Sequence, residues 1–307
     1  MDKTFLITGG NAGIGYFVAE RLAGTGATVV LGSRDPAKAT AAMTAIRARV
    51  PGARVRHLQL DLADLPSLEA VAGERFDAVV CNAGVLLDGP ERRETGDGHE
   101  LMFGTNHLGH FALVRWLLPS MPEDGRVVTT GSFTAKSVEP DFDDLQSTRD
   151  YRAKRTYSRS KLAQMLFGFE LDRRLRAAGS GVRSVVCHPG GALDSLTPSR
   201  PPVRVRSTGE RLRGLPAGLL LQGKHAGART AVHAVLDPAV SGGDLWGPRM
   251  FGLRGAPVRE EVRGVLADRE AAARLWAAGV ELAGVEPLCH IGLTHGVISM
   301  TNREEGL

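Results

Sequence analysis

Tyr157-Ser158-Arg159-Ser160-Lys161 sets a phenol and a primary amine four positions apart, and on a helix that spacing puts both on one face. A free tyrosine ionises near about pH 10 and is a poor acid–base group at neutral pH. A neighbouring cation stabilises the phenolate and draws its pKa toward working pH, where proton transfer is most efficient. The same spacing also occurs as an ordinary pair on exposed helices, so the pairing gains meaning only from what surrounds it.

A second candidate lies at the start of the chain, Thr4-Phe5-Leu6-Ile7-Thr8-Gly9-Gly10-Asn11-Ala12-Gly13-Ile14-Gly15. Phe5, Leu6 and Ile7 form the continuous apolar run of a strand buried on both faces. Gly9, Gly13 and Gly15 remove side chains where the chain turns and where another group approaches the backbone. The pattern predicts a helix over 14–22, whose free N–H groups and positive dipole end suit a pyrophosphate. The spacing is Gly-x-x-x-Gly-x-Gly and departs from the common dinucleotide fingerprint. An ordinary glycine-rich strand–helix turn is the alternative.

The elements that would position these groups follow in order. Residues 27–32 read as a second buried strand, ending in Ser33-Arg34-Asp35. The residue just past such a strand faces the adenosine ribose; an acid there favours NAD and an arginine can pair with the extra phosphate of NADP. Ser33 followed by Arg34 favours NADP, against the alternative that Arg34 decorates the surface. Residues 36–50 predict an amphipathic helix, 55–60 a strand ending in Asp61-Leu62, and 65–72 a further helix. Residues 77–81 predict a strand ending in Asn82-Ala83-Gly84, small enough to let a flat ring lie against the backbone. A long helix over 104–119 carries Asn106 and His107. Strand 126–130 runs into Gly131-Ser132, and strand 182–187 into His188-Pro189-Gly190. Buried strands alternating with helices predict a doubly wound α/β fold, a parallel sheet of about seven strands with helices on both faces. Ligands in such sheets sit beyond the carboxyl ends of the strands, and every feature named so far lies there or on an adjacent helix.

Composition narrows the function classes. The 307 residues are 43% hydrophobic and 23% charged, ordinary for a globular chain. Lys plus Arg is 38 against 34 for Asp plus Glu, a net +4, too small an excess for a nucleic-acid signature. Cys81, Cys187 and Cys289 show no C-x-x-C spacing, and His188, His225 and His233 show no i,i+4 pairing with acids, so no metal site is expected. No apolar run is long enough to span a bilayer and no leader pattern opens the chain, so the expectation is a cytoplasmic protein.

With the glycine turn, Asn82-Ala83-Gly84, Asn106, Ser132, Tyr157, Lys161 and Pro189-Gly190 in this order, the chain resembles the short-chain dehydrogenase/reductase family from about Lys3 to Val285. The resemblance implies a dinucleotide-binding and catalytic unit over 1–285. Tyr157 would exchange the proton and Ser132 would hold the substrate oxygen. Lys161 would bind the nicotinamide ribose and lower the Tyr157 pKa, and Asn106 would hold a water in the proton relay. Gly9, Asn11, Gly13, Ile14 and Gly15 would line the pyrophosphate, Asp61 and Leu62 would flank the adenine, and Asn82 and Gly84 would sit beside the riboses. The usual threonine after Pro189-Gly190, which grips the carboxamide, is replaced by Asp194; Ser195 or Thr197 could substitute. Family members pair through the helices holding Asn106 and Tyr157, which the long segment before Tyr157 could block, leaving homodimer and monomer both open.

Thr105-Asn106-His107-Leu108-Gly109-His110-Phe111 and the late runs at 241–248, 273–276 and 281–285 resemble the retinol-dehydrogenase-like and protochlorophyllide-reductase-like branch. Residues 193–223 correspond to its variable substrate loop. There Arg200, Arg204, Arg206, Arg211 and Arg213 read as a solvated face or as partners for an acidic group. Leu215, Leu219, Leu220 and Leu221 read as an apolar lid or as the core side of a short helix. The 286–307 tail has no assigned role. The expected function is an NADP(H)-dependent oxidoreductase acting on a carbonyl or alcohol of a bulky, hydrophobic, cyclic small molecule. The alternatives are a C=C reductase and a non-enzymatic NADP-binding regulator.

Overall fold

The computed structural model describes residues 3–205, 207, 209, 216–285 and 288; Arg206, Arg211, Arg213, Leu215, Cys289 and nearly all of the 286–307 tail lie outside them. Five strands form around short runs of buried apolar residues: β1 (Thr4–Thr8), β2 (Thr28–Ser33), β4 (Ala78–Cys81), β5 (Arg126–Thr130) and β6 (Arg183–Cys187). β3 (Arg54–Gln59) lies outermost on one side. β9 (Leu245–Met250) and β10 (Arg254–Glu260) extend the other side, giving the order β10-β9-β6-β5-β4-β1-β2-β3. All neighbours are parallel except β9 and β10. The sheet therefore holds eight strands, not about seven. A separate two-stranded pairing joins β7 (Ala192–Leu193) and β8 (Gln222–Gly223).

Alternation along the strands feeds two cores. Phe5, Ile7, Val29 and Leu31 face a layer built from α1 (Gly13–Ala23), α2 (Pro36–Arg49) and α6 (Lys224–Leu236). Leu6, Val30, Val79 and Val127 face a layer built from a helical rod (α3, a π segment and α4), α5 (Ala153–Ala177) and α7 (Arg269–Ala283). The rod is α3 (Leu101–Phe103), π-helical Gly104–Leu108 and α4 (Gly109–Leu117). The helix expected over 104–119 thus begins three residues early and is wound more loosely where Asn106 sits. The helix expected over 65–72 is instead a 3-10 turn, Pro66–Val71. Among the described residues no helix is long and apolar enough to cross a membrane.

α7 lies on the face of α4 and α5 away from the sheet. Trp276 stacks on Phe167 at 5.8 Å and meets Phe111 edge-on at 5.0 Å. Gly279 leaves room for the Phe111 ring, which would stand 3.0 Å from any Cβ placed there.

The chain reverses direction across the sheet between β1 and β4: β2 and β3 lie on one side of β1, and β4 on the other. The crevice outside such a switch point is where this architecture binds ligands.

Candidate active site

A cavity of about 860 Å³ fills that crevice. Its floor is the glycine turn. Gly9 and Gly13 have φ of +64° and +57°, a left-handed conformation that only glycine adopts without strain. A Cβ at Gly15 would stand 2.4 Å from the Gly9 carbonyl oxygen and 2.5 Å from Asn82 Nδ2, so helix α1 starts flush against the turn. Gly9, Asn11, Gly13 and Ile14 line the cavity; Gly15 does not, since its place is the close packing of α1 on Asn82. A backbone cradle of this shape, open at a helix N-terminus, fits a pyrophosphate.

At one end the cavity is lined by Ser33, Arg34, Asp35, Lys38, Asp61 and Leu62. Asp35 is the N-cap of α2, accepting from Lys38 N at 3.0 Å, and its side chain also pairs with Lys38 Nζ at 3.5 Å. Burial opposes ionisation there only slightly, and the Lys38 backbone hydrogen bond holds the Asp35 carboxyl below its usual range. Among the described residues the Arg34 guanidinium has no ion pair.

At the other end Ser132, Tyr157, Lys161, Pro189 and Gly190 meet Asn82, Ala83 and Gly84. Ser132 closes β5 and caps the 3-10 turn Phe133–Ser137, its Oγ accepting from Thr134 N at 3.3 Å. Tyr157 lines the same wall, and the Ser132 side chain favours its ionised form. Lys161 is 4% exposed and donates to Gln164 Oε1 at 2.8 Å and to the Thr130 carbonyl at 3.1 Å. A Cβ at Gly84 would stand 3.1 Å from Lys161 Nζ and 3.2 Å from Asn106 Oδ1, so the absent side chain is what lets the amine reach the cavity.

The surroundings of two groups bear on their expected roles. Burial raises the Tyr157 pKa, only partly offset by the Ser132 side chain. Lys161 is turned toward neutral oxygens, and desolvation lowers its own pKa to about 8. Asn106 does not line the cavity, although its neighbour Thr105 does. Its side chain clamps the segment after Gly84, accepting from Val85 N at 2.7 Å and donating to Val85 O at 3.0 Å and Ser160 Oγ at 2.9 Å. Its carbonyl stands 3.0 Å from His110 Nδ1.

The loop after Gly190 also differs from expectation. Asp194 lines the cavity with its carboxylate held by Arg204 at 2.7 Å and Lys224 at 2.8 Å. Thr197 is fully buried, donating to Leu193 O and accepting from Lys224 N at the start of α6. Its hydroxyl therefore serves the fold. Arg200 pairs with Glu20 at 2.7 Å, so Arg200 and Arg204 are not a solvated face. Leu219 and Leu220 are 76% and 61% exposed, which removes the reading of these two as the core side of a helix.

Several groups reach the site without a predicted site role. Lys38, Val85, Leu86, Thr105 and Lys224 also line the cavity. Behind it, His188 Nδ1 accepts from Gly190 N at 3.3 Å, leaving Nε2 to donate to Glu260 Oε1 at 3.0 Å. Glu260 Oε2 also pairs with Lys136 at 2.5 Å. Burial would raise the Glu260 pKa, but the His188 and Lys136 hydrogen bonds outweigh it and hold the carboxyl at about 2. One β10 carboxylate thus ties the turn after Ser132 to the turn at Pro189-Gly190.

Known proteins agree with this geometry. The pattern described as short chain dehydrogenase matches residues 3–201. Human retinol dehydrogenase 13 is 34% identical over 293 residues, covering 92% of this chain and 85% of that protein. Polyprenol dehydrogenase of Mus musculus is 35% identical over 298 residues, covering 92% and 84%. The crystal structure of an uncharacterised protein from Mycobacterium paratuberculosis superposes with a TM-score of 0.75 at 34% identity, covering 93% of this chain and 95% of that one. The chain is thus an oxidoreductase that belongs to the short-chain dehydrogenase/reductase family, in its retinol-dehydrogenase-like branch.

Proposed function

We propose that this protein is an NADP(H)-dependent reductase or dehydrogenase of a carbonyl/alcohol pair on a bulky, hydrophobic, cyclic substrate, with Tyr157 as the general acid/base. The observation that carries the reading is the convergence of Ser132, Tyr157 and Lys161 on one wall of the cavity that the glycine turn floors. When bound, the nicotinamide supplies the hydride. Gly9, Asn11, Gly13 and Ile14 hold the pyrophosphate, with Gly15 shaping the turn; Asp61 and Leu62 flank the adenine, and Asn82, Ala83, Gly84, Pro189 and Gly190 bound the nicotinamide end.

The chain's own chemistry is then proton handling at one oxygen. In reduction, the Tyr157 hydroxyl gives its proton to the oxygen as charge develops there. Ser132 donates a hydrogen bond to the same oxygen, an interaction that strengthens in the transition state. Lys161 supplies the cation beside the ribose, and Asn106 acts by fixing the Val85 backbone.

NADP is favoured by Arg34 and Lys38 at the cavity end, where Asp35 is engaged as a helix cap. An apolar substrate is supported by Leu86, which lines the cavity at 55% exposure, and by Phe133, which follows Ser132 and is 39% exposed. Tyr157→Phe is the test: NADPH binding persists while turnover falls by about 10²-fold or more, the scale of a general acid. Unchanged turnover would remove Tyr157 from the chemistry.

A further inference from the structure

Lys161 is a buried ammonium with no carboxylate partner among the described residues. Among the described residues the titratable groups acting on it are the thiols of Cys81 on β4 and Cys187 on β6, with His110 on α4 and Tyr157 one turn back on its own helix. Burying a cation without an ion pair is costly unless its donors are satisfied. Here two neutral oxygens accept from it, the Thr130 carbonyl and Gln164 Oε1. Gln164 sits three residues along α5, on the same face, and is itself 0% exposed.

The far end of the Gln164 amide is also fixed. Its Nε2 donates to the Cys81 carbonyl at 3.1 Å and stands 3.1 Å from His110 Nδ1. His110 Nε2 is 2.8 Å from Thr8 Oγ1, and that hydroxyl accepts from the Asn82 and Ala83 amides at 2.9 Å each. Thr8, His110 and Gln164 are all fully buried. His110 Nδ1 gives its proton to the Asn106 carbonyl at 3.0 Å. The hydrogen-bonded link from the amine therefore runs through Gln164 to the Cys81 carbonyl at the carboxyl end of β4, with His110 and Thr8 packed beside it.

We propose that Gln164 is a positioning residue for Lys161: its amide oxygen fixes the ammonium at the cavity wall, and its amide nitrogen ties that point to the β4 backbone at the Cys81 carbonyl, one residue before Asn82. The inference rests on the Tyr157–Lys161 reading above. A side chain that only filled space would serve equally well as a hydrocarbon. A hydrogen-bond acceptor also governs how firmly the amine keeps its proton, because it stabilises the charged form.

The test is the titration of Lys161 in cofactor-free protein, followed by carbon NMR of lysine labelled at Cε, with Lys161→Arg assigning the resonance. Gln164→Glu keeps the shape and supplies a charged acceptor, so the midpoint rises by about one pH unit or more, tenfold in proton affinity. Gln164→Leu removes the acceptor, so the midpoint falls and the NADPH KM rises more than kcat drops. Midpoints that coincide in wild type, Gln164→Glu and Gln164→Leu overturn the proposal. Because Gln164→Glu is nearly isosteric, the comparison survives if the leucine variant does not fold. Retained turnover in Tyr157→Phe would instead overturn the proposed function and leave this titration untouched.

Discussion

Tyr157 and Lys161 share a helix face, yet the interior treats them as separate problems. Burial raises the phenol's pKa and lowers the amine's to about 8. The ammonium is therefore present below about pH 8 and lost above it. We expect kcat/KM for the cofactor, which reports the free enzyme, to fall on the alkaline side with a midpoint near about 8, set by Lys161. A pH–rate profile checks it; a flat profile to pH 10, the unshifted range of lysine, would sink it. At the other end of the cavity, the proposed function assigns the coenzyme choice to Arg34. Arg34→Ala removes a charge-assisted contact worth about 1.5–3 kcal/mol, so KM for NADPH rises about 10- to 100-fold while KM for NADH changes little. Parallel KM measurements with both coenzymes decide this.

At the scale of elements, the π segment Gly104–Leu108 repays attention. It presents Asn106 toward Val85 and buries His107 among Phe103, Phe111 and Phe167. Neither ring nitrogen of His107 has a hydrogen-bond partner among the described residues. Desolvation, aided by His110, lowers its pKa to about 3. Between its unfolded pKa near 6.5 and about 3 the unfolded chain binds the proton and the native state does not, so stability falls as pH drops through that window. His107→Leu removes the unpaired polar group and should stabilise the fold by about 1–3 kcal/mol. It should also reduce the acid-side slope of stability by about 1.36 kcal/mol per pH unit. Denaturant melts at neutral and acidic pH test both. What the sequence disclosed at this scale follows from the same physics. Strand β5 falls on residues 126–130 as read, because Val127, Val128, Thr129 and Thr130 are β-branched and all buried, as suits a strand. The π segment was hidden, since one widened turn barely disturbs helical periodicity. β10 was hidden because Arg-Gly-Ala-Pro-Val-Arg-Glu, half-buried at the sheet edge, carries no clean alternation. Tyr157, Lys161 and Ser132 were legible because their types and order are themselves the signal. Glu260 acquires meaning only from partners far along the chain, Lys136 and Glu260 being 124 residues apart, and Gln164 only from the burial that leaves it to satisfy Lys161.

For the molecule as a whole, α7 covers the outer face of α4 and α5, with Trp276 set between Phe111 and Phe167 and the Arg174 guanidinium 4.5 Å from its ring. Phe142, in the long segment before Tyr157, packs under Arg274 of the same helix. A second copy cannot use that face without displacing the helix. We expect a monomer of 32.7 kDa, which light scattering after size exclusion checks; a dimeric mass would require another face. The family pattern ends at residue 201, before α6, β9, β10 and α7. Glu260 belongs to that later part, yet it grips both turns that flank the reacting oxygen. Substrate preference in this protein can therefore drift through changes in its last third, shifting the two walls of the site in concert while the proton-transfer residues stay as they are.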